Sequence, residues 1–387
     1  MTTDSNLPYR IAVVGAGVAG AACARALRDA GHTVHLFDKS RGAGGRMATR
    51  CERWVDASGR DRSTRFDHGA PGFDARSPAF RKFTADALRG GWLKAWSPVH
   101  DSRGLGSANP GPTLVPVPDM PTLCRRLVHG IDVSFGHAVQ SLQRGPLGWS
   151  LHGDGGDGGV GGVGEVIGQG FDALVLALPP AQAGHLLAGH QPGWARHAAL
   201  ALMQPCWTLM GVATAPVAAT GWHVARPHSG LQSGPLCVVQ RNDCRPGREQ
   251  RSGEVHWVLH ARAAWSRLHL EQSAEWVQAQ LQTALADWLG EPVHWQHAVT
   301  HRWRYATPLA GGGNPGGSAG SELGCVPTGR CWWDSALGLG VCGDFLGGGG
   351  SGVEAAWLSA QALATQILPG DNLCADPAAR VAQPAEA

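Results

Sequence analysis

Apolar positions first gather at Arg10 to Val14, which reads as a short strand, and then recur at helical spacing from Val18 to Ala30, where Gly31 closes the run. Thr33 to Phe37 is a second strand ending at Asp38, so a strand, a glycine turn, a helix and a strand fit into under 30 residues. An arginine- and glycine-rich stretch follows and predicts a loop. Helices are predicted over Pro78 to Leu88 and Met120 to Val128, the latter preceded by the proline-broken stretch Thr113 to Pro118. Alternation over Asp132 to Leu142 and Gly148 to His152 predicts a hairpin that runs into Gly153 to Gly170, a glycine-dominated flexible insertion at its tip.

Phe171 to Leu178 is continuously apolar and is stopped by Pro179-Pro180, the pattern of a strand buried on both faces of a parallel sheet. Between about residues 190 and 310 the texture changes. Cys206 to Thr214, Glu254 to His260 and Val293 to Tyr305 predict long, Trp-rich antiparallel strands, with a helix over Glu271 to Leu289. Gly311 to Ser321 is another glycine-rich loop, Ala336 to Cys342 a last apolar strand, and Val353 to Ile367 a helix following Gly347 to Gly352. The C-terminal part therefore rejoins the first fold, and Pro369 onward predicts a disordered tail.

A chain of 387 residues suits two lobes rather than one core. Its formal charge of +2 argues against nucleic acid as the main partner. None of the 10 cysteines forms a CxxC pair, which favours reduced, buried thiols over a metal site. The polar start lacks the features of a signal peptide, and no apolar run approaches the roughly 18 residues that span a bilayer. A soluble cytoplasmic protein without a membrane partner is expected. Arg41, Arg46, Arg50, Arg53, Arg60, Arg62 and Arg65, interleaved with Glu52, Asp56, Asp61 and Asp67, either face an anionic ligand or form a solvated loop.

Gly15-Ala16-Gly17-Val18-Ala19-Gly20 follows a strand, opens a helix, and is answered by an acid at the end of the next strand. Gly15 allows the tight turn, Gly17 lets backbone approach a pyrophosphate at the helix N-terminus, and Gly20 allows close packing of helix on strand. Asp38 is placed to accept hydrogen bonds from ribose hydroxyls and disfavours a 2′-phosphate, so NADP is not expected here. A second glycine turn, Arg41-Gly42-Ala43-Gly44-Gly45-Arg46-Met47, separates FAD from NAD, because an enzyme holding only NAD has no use for it. Val341-Cys342-Gly343-Asp344 supplies a third piece: Asp344 is placed for ribityl or phosphate-side hydroxyls, and the helix beginning near Val353 can aim its dipole at a flavin.

The chain resembles the bacterial renalase-like branch of the amine oxidase superfamily of flavoproteins from about Arg10 to Ile367. Carrying the resemblance are His35-Leu36-Phe37-Asp38-Lys39-Ser40-Arg41, Gly44-Gly45-Arg46-Met47, Asp67-His68-Gly69-Ala70, Trp257-Val258-Leu259-His260-Ala261, His301-Arg302-Trp303-Arg304-Tyr305-Ala306, and Val353-Glu354-Ala355-Ala356-Trp357-Leu358-Ser359. It implies an α/β fold, α+β overall, with a Rossmann-type FAD-binding domain of the p-hydroxybenzoate hydroxylase/amine oxidase type and a second, mostly antiparallel substrate domain. The expected division is 9–75, 112–185 and 323–370 for FAD binding, 76–111 and 186–322 for substrate, and 371–387 as tail. The resemblance adds Lys39, Arg41, Gly69, Ala70, Gly352, Val353 and Glu354 to the FAD contacts, and places Val139 where the family uses a backbone contact to adenine.

The implied activity uses noncovalent FAD to oxidise the 2- and 6-dihydro isomers of NAD(P)H to NAD(P)+, with O2 reduced to H2O2. Hydride transfer from an activated dihydropyridine needs positioning and no strong base, which suits a sequence without a catalytic triad, metal motif or paired carboxylates. His297 and His301 stand four apart in a predicted strand, where structural roles outweigh a metal site. Gly69-Ala70-Pro71-Gly72-Phe73 stands where the family commonly has Gly-Ala-Gln-Tyr-Phe, and the loop before Val353 is longer and richer in glycine. An amine oxidase acting on a small amine, and a flavin-binding protein that has lost catalysis, therefore stay open. Phe73, Trp207, Trp257, Trp303 and Tyr305 are candidate walls for the substrate, and Arg302 or Arg304 could meet its phosphate or form a surface salt bridge.

Overall fold

The computed structural model describes residues 8–101, 112–154, 164–219, 221–227, 234–309, 329–346 and 352–367. Contacts divide the chain into two units. The first takes the chain through Gly45, then Cys124–Leu202 and the described residues beyond 310; the second takes Arg46–Leu123 and Met203–Leu309. Residues 46–75 and 112–123 thus belong with the antiparallel unit, and 186–202 with the first, where the sequence reading divided them the other way.

In the first unit, β1 (Arg10–Val14) is followed by α1 (Val18–Asp29) and β2 (Thr33–Asp38). A six-stranded sheet runs in the order Cys331–Asp334, Leu339–Cys342, Ala173–Leu176, β1, β2, Asp132–Phe135, parallel except at the Cys331–Asp334 edge. Its centre is dry: Ile11, Ala12, Val13, Leu36 and Ala173 to Leu176 have no exposed surface. One face of α1 is made of small residues, Ala21, Cys23 and Ala24, with Leu27 at its end, all buried. Small side chains let α1 lie against the helix Val353–Ile367, whose Ala356, Ala360 and Ala364 are equally buried.

The predicted hairpin forms between Ala138–Gly145 and Gly148–Asp154, but its first predicted residues and the stretch after its tip differ from expectation. Asp132–Phe135 is a parallel edge strand on β2 rather than a hairpin arm, and Glu165–Phe171 is a strand where a flexible insertion was expected. Glu165–Phe171, Gly148–Asp154 and Ala138–Gly145 form a separate antiparallel sheet. Glycine here serves close packing: a Cβ on Gly168 would lie 2.7 Å from the Phe37 ring, and one on Gly153 1.9 Å from the Ala138 carbonyl. The apolar run after 170 also divides, since Phe171 ends one strand and Ala173–Leu176 enters the other sheet. Residues 155–163, the glycine loop 311–321, residues 347–351 and the tail 371–387 lie outside the described residues.

The second unit is built on a five-stranded antiparallel sheet in the order Val224–Ala225, Leu236–Arg241, Glu254–Ala261, Met203–Thr214, Trp295–Pro308. The helix Ala274–Leu289 starts at a Ser273 cap that accepts the Trp276 N–H, and ends at Gly290 in the left-handed conformation. Its Val277, Leu281, Leu285 and Leu289, four apart, are buried together with Trp207, Leu209, Trp257 and Leu259 of the sheet. On the other face Met210, Val212 and Val258 meet Phe66 of the hairpin formed by β3 (Arg50–Val55) and β4 (Asp61–Phe66). That hairpin occupies the arginine-rich stretch expected to be a loop. Its inward positions Glu52, Arg62 and Thr64 are polar because the sheet offers them Glu254, His256 and His297.

Candidate functional site

Gly15 leaves β1 at φ +108°, and a Cβ there would sit 2.5 Å from the Ala177 carbonyl oxygen. A Cβ on Gly20 would sit 1.8 Å from the Gly15 oxygen, so both glycines are demanded by the protein's own packing. Gly17 differs. Its φ of −74° suits any residue, and a Cβ there would meet only the Gly45 Cα, at 3.9 Å. Gly45, at φ +56°, faces back toward Gly17. The Gly44 N–H donates to the Ala16 carbonyl at 2.9 Å, and the Cys124 thiol donates to the Gly44 carbonyl across 3.8 Å. Burial pushes that thiol up to about 12, which keeps it a donor. The second glycine turn is thereby fixed on the first, leaving two bare Cα faces opposite one another.

Asp38 accepts the Ala16 N–H through Oδ2 at 2.6 Å and the Ser40 N–H through Oδ1 at 2.7 Å. Each oxygen keeps a lone pair for a ribose hydroxyl. The Asp38 and Ser40 carbonyls accept the N–H groups of His137 and Gly136, which brings the chain leading to Val139 beside the end of β2. No side chain caps α1 and no acid stands in its first turn, so the positive end of its dipole is open to an anion. Bare glycine faces, an uncapped helix end and an oriented carboxylate fit the pyrophosphate and ribose of a dinucleotide. Lys39 and Arg41 are exposed.

At the other end of the sheet the Gly343 N–H donates to Ser359 Oγ at 2.9 Å, fixing the strand end to the helix Val353–Ile367. Asp344 is buried in the turn that follows. Gly352, at φ +79°, has open space around it, and Glu354 sets a carboxylate in the helix's first turn, where it shares the positive end of the dipole.

In the second unit, Arg46 donates to the Ala306 carbonyl at 3.1 Å, Met47 is buried, and the Arg46 carbonyl accepts the Ala70 N–H at 2.9 Å. A Cβ on Gly69 would lie 2.0 Å from the Arg46 oxygen, so the two segments meet backbone to backbone. Trp303 Nε1–H donates to the His68 carbonyl at 3.0 Å, and His260 Nε2 lies 2.9 Å from the Gly69 carbonyl. His68 stacks on Trp303 with ring centroids 5.1 Å apart, and His301 packs edge-on to both. Burial pushes His68 down to about 3 and His260 down to about 4, and lowers His301 as well, so these imidazoles are uncharged at neutral pH. Asp67, fully buried, takes a hydrogen bond from Thr49 at 2.6 Å and ion pairs from Arg248 at 2.6 Å and Arg245 at 3.2 Å.

Sheet alternation sorts the substrate candidates. Trp207 and Trp257 lie in the core on the helix side, away from the face that carries Trp303, and Phe73 is buried against Phe80. Arg302 and Arg304 both pair with Glu271, Arg302 also lying over the Trp207 ring. Trp303 and Tyr305 are half-buried on the opposite face from these arginines. The sequence reading assigned no role to Cys124, Ser40, His68 or His260, and gave His301 a structural role only, in its pairing with His297. The i, i+4 spacing of His256 with His260, matching that of His297 with His301 and set on the same face of one sheet, is the signal that could have found His260. No group of His, Cys, Asp or Glu among the described residues could hold a metal.

The Rossmann-type unit and the antiparallel unit together define a mixed α/β fold of the amine oxidase type. Residues 13–87 match a family model described as an NAD(P)-binding Rossmann-like domain. Among solved structures, a protein described as a putative protoporphyrinogen oxidase from Exiguobacterium sp. 255-15 is similar at TM-score 0.62 and 12% identity, over 95% of this chain and 99% of that one. A double mutant of putrescine oxidase redesigned at its cofactor site is similar at TM-score 0.52 and 13% identity, over 93% and 99%. Reduced UDP-galactopyranose mutase reaches TM-score 0.54 at 9% identity, over 77% and 83%. Among the described residues, no helix is long and apolar enough to cross a membrane.

Proposed function

We propose that the chain is a FAD-dependent oxidoreductase of the renalase-like kind, oxidising 2- and 6-dihydro isomers of NAD(P)H to NAD(P)+. The observation that carries the flavin part is the pair of glycine turns. Gly17 and Gly45 face each other with no side chain between them, and Gly44 is bonded to Ala16. A site for NAD alone would need the first turn only. The likeness in fold to a putative protoporphyrinogen oxidase and to a putrescine oxidase supports an oxidoreductase.

Gly15 to Gly20 and the start of α1 would hold the pyrophosphate, Asp38 the ribose, Val139 the adenine, and Gly44 and Gly45 the second phosphate side. Arg46, Met47, Gly69, Ala70, Gly343, Asp344, Gly352, Val353 and Glu354 complete the contacts in this reading. Held noncovalently by these residues, FAD would supply the two-electron acceptor for the dihydropyridine, with O2 as final acceptor and H2O2 as its product. The protein's own part is positioning. Neutral histidines and Trp303 offer a planar, uncharged wall, and no carboxylate is given a role as base.

A small amine is the second reading, favoured by the likeness in fold to putrescine oxidase. The purified protein is expected to be yellow. Anaerobic mixing with borohydride-generated dihydronicotinamide isomers should bleach the flavin within seconds. Bleaching by a small amine and not by those isomers would reverse the preference, and a yellow protein that no donor bleaches would mark lost catalysis.

A further inference from the structure

We propose that Cys124 is a positioning residue for the phosphate cradle: its thiol holds the Gly44-Gly45 peptide so that the Gly45 N–H, and not the Gly44 carbonyl, is offered to a bound pyrophosphate. The inference rests on the FAD reading, in which Gly44 and Gly45 take the second phosphate side. Cys124, Gly44, Gly45, Ala16, Gly17 and Asp38 all belong to the first unit.

A peptide between two glycines is the one a chain flips most easily, because neither residue has a Cβ to bar the mirrored backbone region. Gly44 stands at φ +151° and Gly45 at φ +56°. A flip would exchange a donor for an acceptor, and a carbonyl turned toward phosphates would repel them. Nothing in the glycine turn itself chooses between the two orientations. The choice comes from the helix Thr122–Leu127, on which Cys124 is fully buried and donates to the Gly44 carbonyl across 3.8 Å. The peptide is trans, so the Gly45 N–H lies on the side away from the thiol. That N–H has no partner among the described residues.

The thiol also ends a chain of hydrogen bonds. The Gly44 N–H donates to the Ala16 carbonyl at 2.9 Å, and the Ala16 N–H donates to Asp38 Oδ2 at 2.6 Å. The Ala16-Gly17 peptide is therefore held as the Gly44-Gly45 peptide is, with its carbonyl taken by the protein and its N–H on the far side. A thiol suits the end of this chain. Burial pushes it up to about 12, so it stays a neutral donor and sets no negative charge beside the phosphates.

Cys124→Val, Cys124→Ala and Cys124→Ser test this in the full-length FAD-loaded protein, with circular dichroism to establish folding. The readouts are the FAD Kd by flavin fluorescence and the displacement of FAD by ADP, which has the second phosphate, and by AMP, which lacks it. Valine fills the space without a donor, so FAD and ADP should each bind about fivefold more weakly, the effect of one neutral hydrogen bond, with AMP unchanged. Alanine should do the same. Serine, whose O–H donates in place of S–H, should bind FAD as the wild type does. Wild-type FAD affinity in folded valine and alanine proteins would overturn the role of Cys124, and so would equal weakening of ADP and AMP. Recovery by valine but not by serine would assign the effect to packing and overturn it too. In each of these cases the wild type still binds FAD and the FAD reading stands, whereas a colourless wild type that refuses added FAD would overturn both.

Discussion

Asp38 Oδ2 accepts the Ala16 N–H at 2.6 Å, so the acid at the end of β2 also holds the middle of the phosphate turn. Its other oxygen accepts the Ser40 N–H. One carboxylate thus fixes the turn before α1 and the chain leaving β2, and hydrogen bonds to a charged acceptor contribute about 1.5–3 kcal/mol each. Asp38→Ala should raise the FAD Kd at least tenfold and lower the melting temperature of the apoprotein as well. Asp38→Asn, which keeps the shape and one acceptor oxygen, should fall between. Flavin fluorescence titration reads the first effect and calorimetry the second. An Asp38→Ala protein with wild-type affinity would remove Asp38 from the site.

The glycines of the first turn should separate into two classes. Gly20→Ala drives a Cβ into the Gly15 oxygen, where backbone cannot yield, and should cost several kcal/mol of stability or prevent folding. Gly17→Ala meets no close atom and has an ordinary φ, so apoprotein stability should change by less than about 1 kcal/mol. Its methyl group would occupy the face offered to the pyrophosphate, and FAD affinity should fall at least tenfold. If Gly17→Ala binds FAD normally, the Gly17 and Gly45 faces are not the phosphate cradle.

This contrast marks what the sequence makes legible. The β1, α1, β2 unit and its glycines are local, with the pattern and the reason for it lying within one stretch of chain. The β3–β4 hairpin was hidden because its inward Arg62, Thr64 and Glu52 are answered by Glu254, His256 and His297 respectively, each more than 190 residues away, as in the Thr64 to His256 separation of 192. No hydrophobic alternation marks such a strand. Gly168 and Gly153 misled in the opposite sense, since their missing side chains answer the Phe37 ring and the Ala138 carbonyl. Likewise Trp257 reads as a candidate wall, and only the register, which sets it on the helix side beside Trp222, sends it to the core.

Asp67 ties three segments together. It joins Thr49, Arg245 and Arg248, and Arg248 Nη1 reaches on to the Pro116 carbonyl at 2.7 Å. Arg245 is fully buried, and burial pushes it down to about 10. Removing the single carboxylate would leave two buried guanidinium groups facing each other. Asp67→Asn should therefore cost about 3–5 kcal/mol by urea unfolding, the range for breaking a buried ion pair. A loss below about 1 kcal/mol would mean that the arginines find other partners.

His68 and His260 should make stability fall with acid before any carboxylate titrates. Both have folded-state pKa values below the ordinary 6.5, pushed down to about 3 and about 4 by burial. Between about pH 6.5 and 4 the unfolded chain binds a proton at each ring and the native chain does not, so protons favour unfolding. The stabilisation is present above pH 6.5 and is lost as pH falls, at a limiting slope of about 1.4 kcal/mol per pH unit for each ring. From pH 6 to 5 ordinary carboxylates are ionised in both states, which leaves histidines to dominate that interval. His68→Phe keeps a ring against Trp303 and removes one titrating group. Its unfolding free energy should fall less steeply than that of the wild type over this interval, by about 1 kcal/mol per pH unit, in urea titrations at each pH. Parallel slopes for the two proteins would show that His68 is protonated in the native state, and would take with it the uncharged wall on which the reading of this face depends.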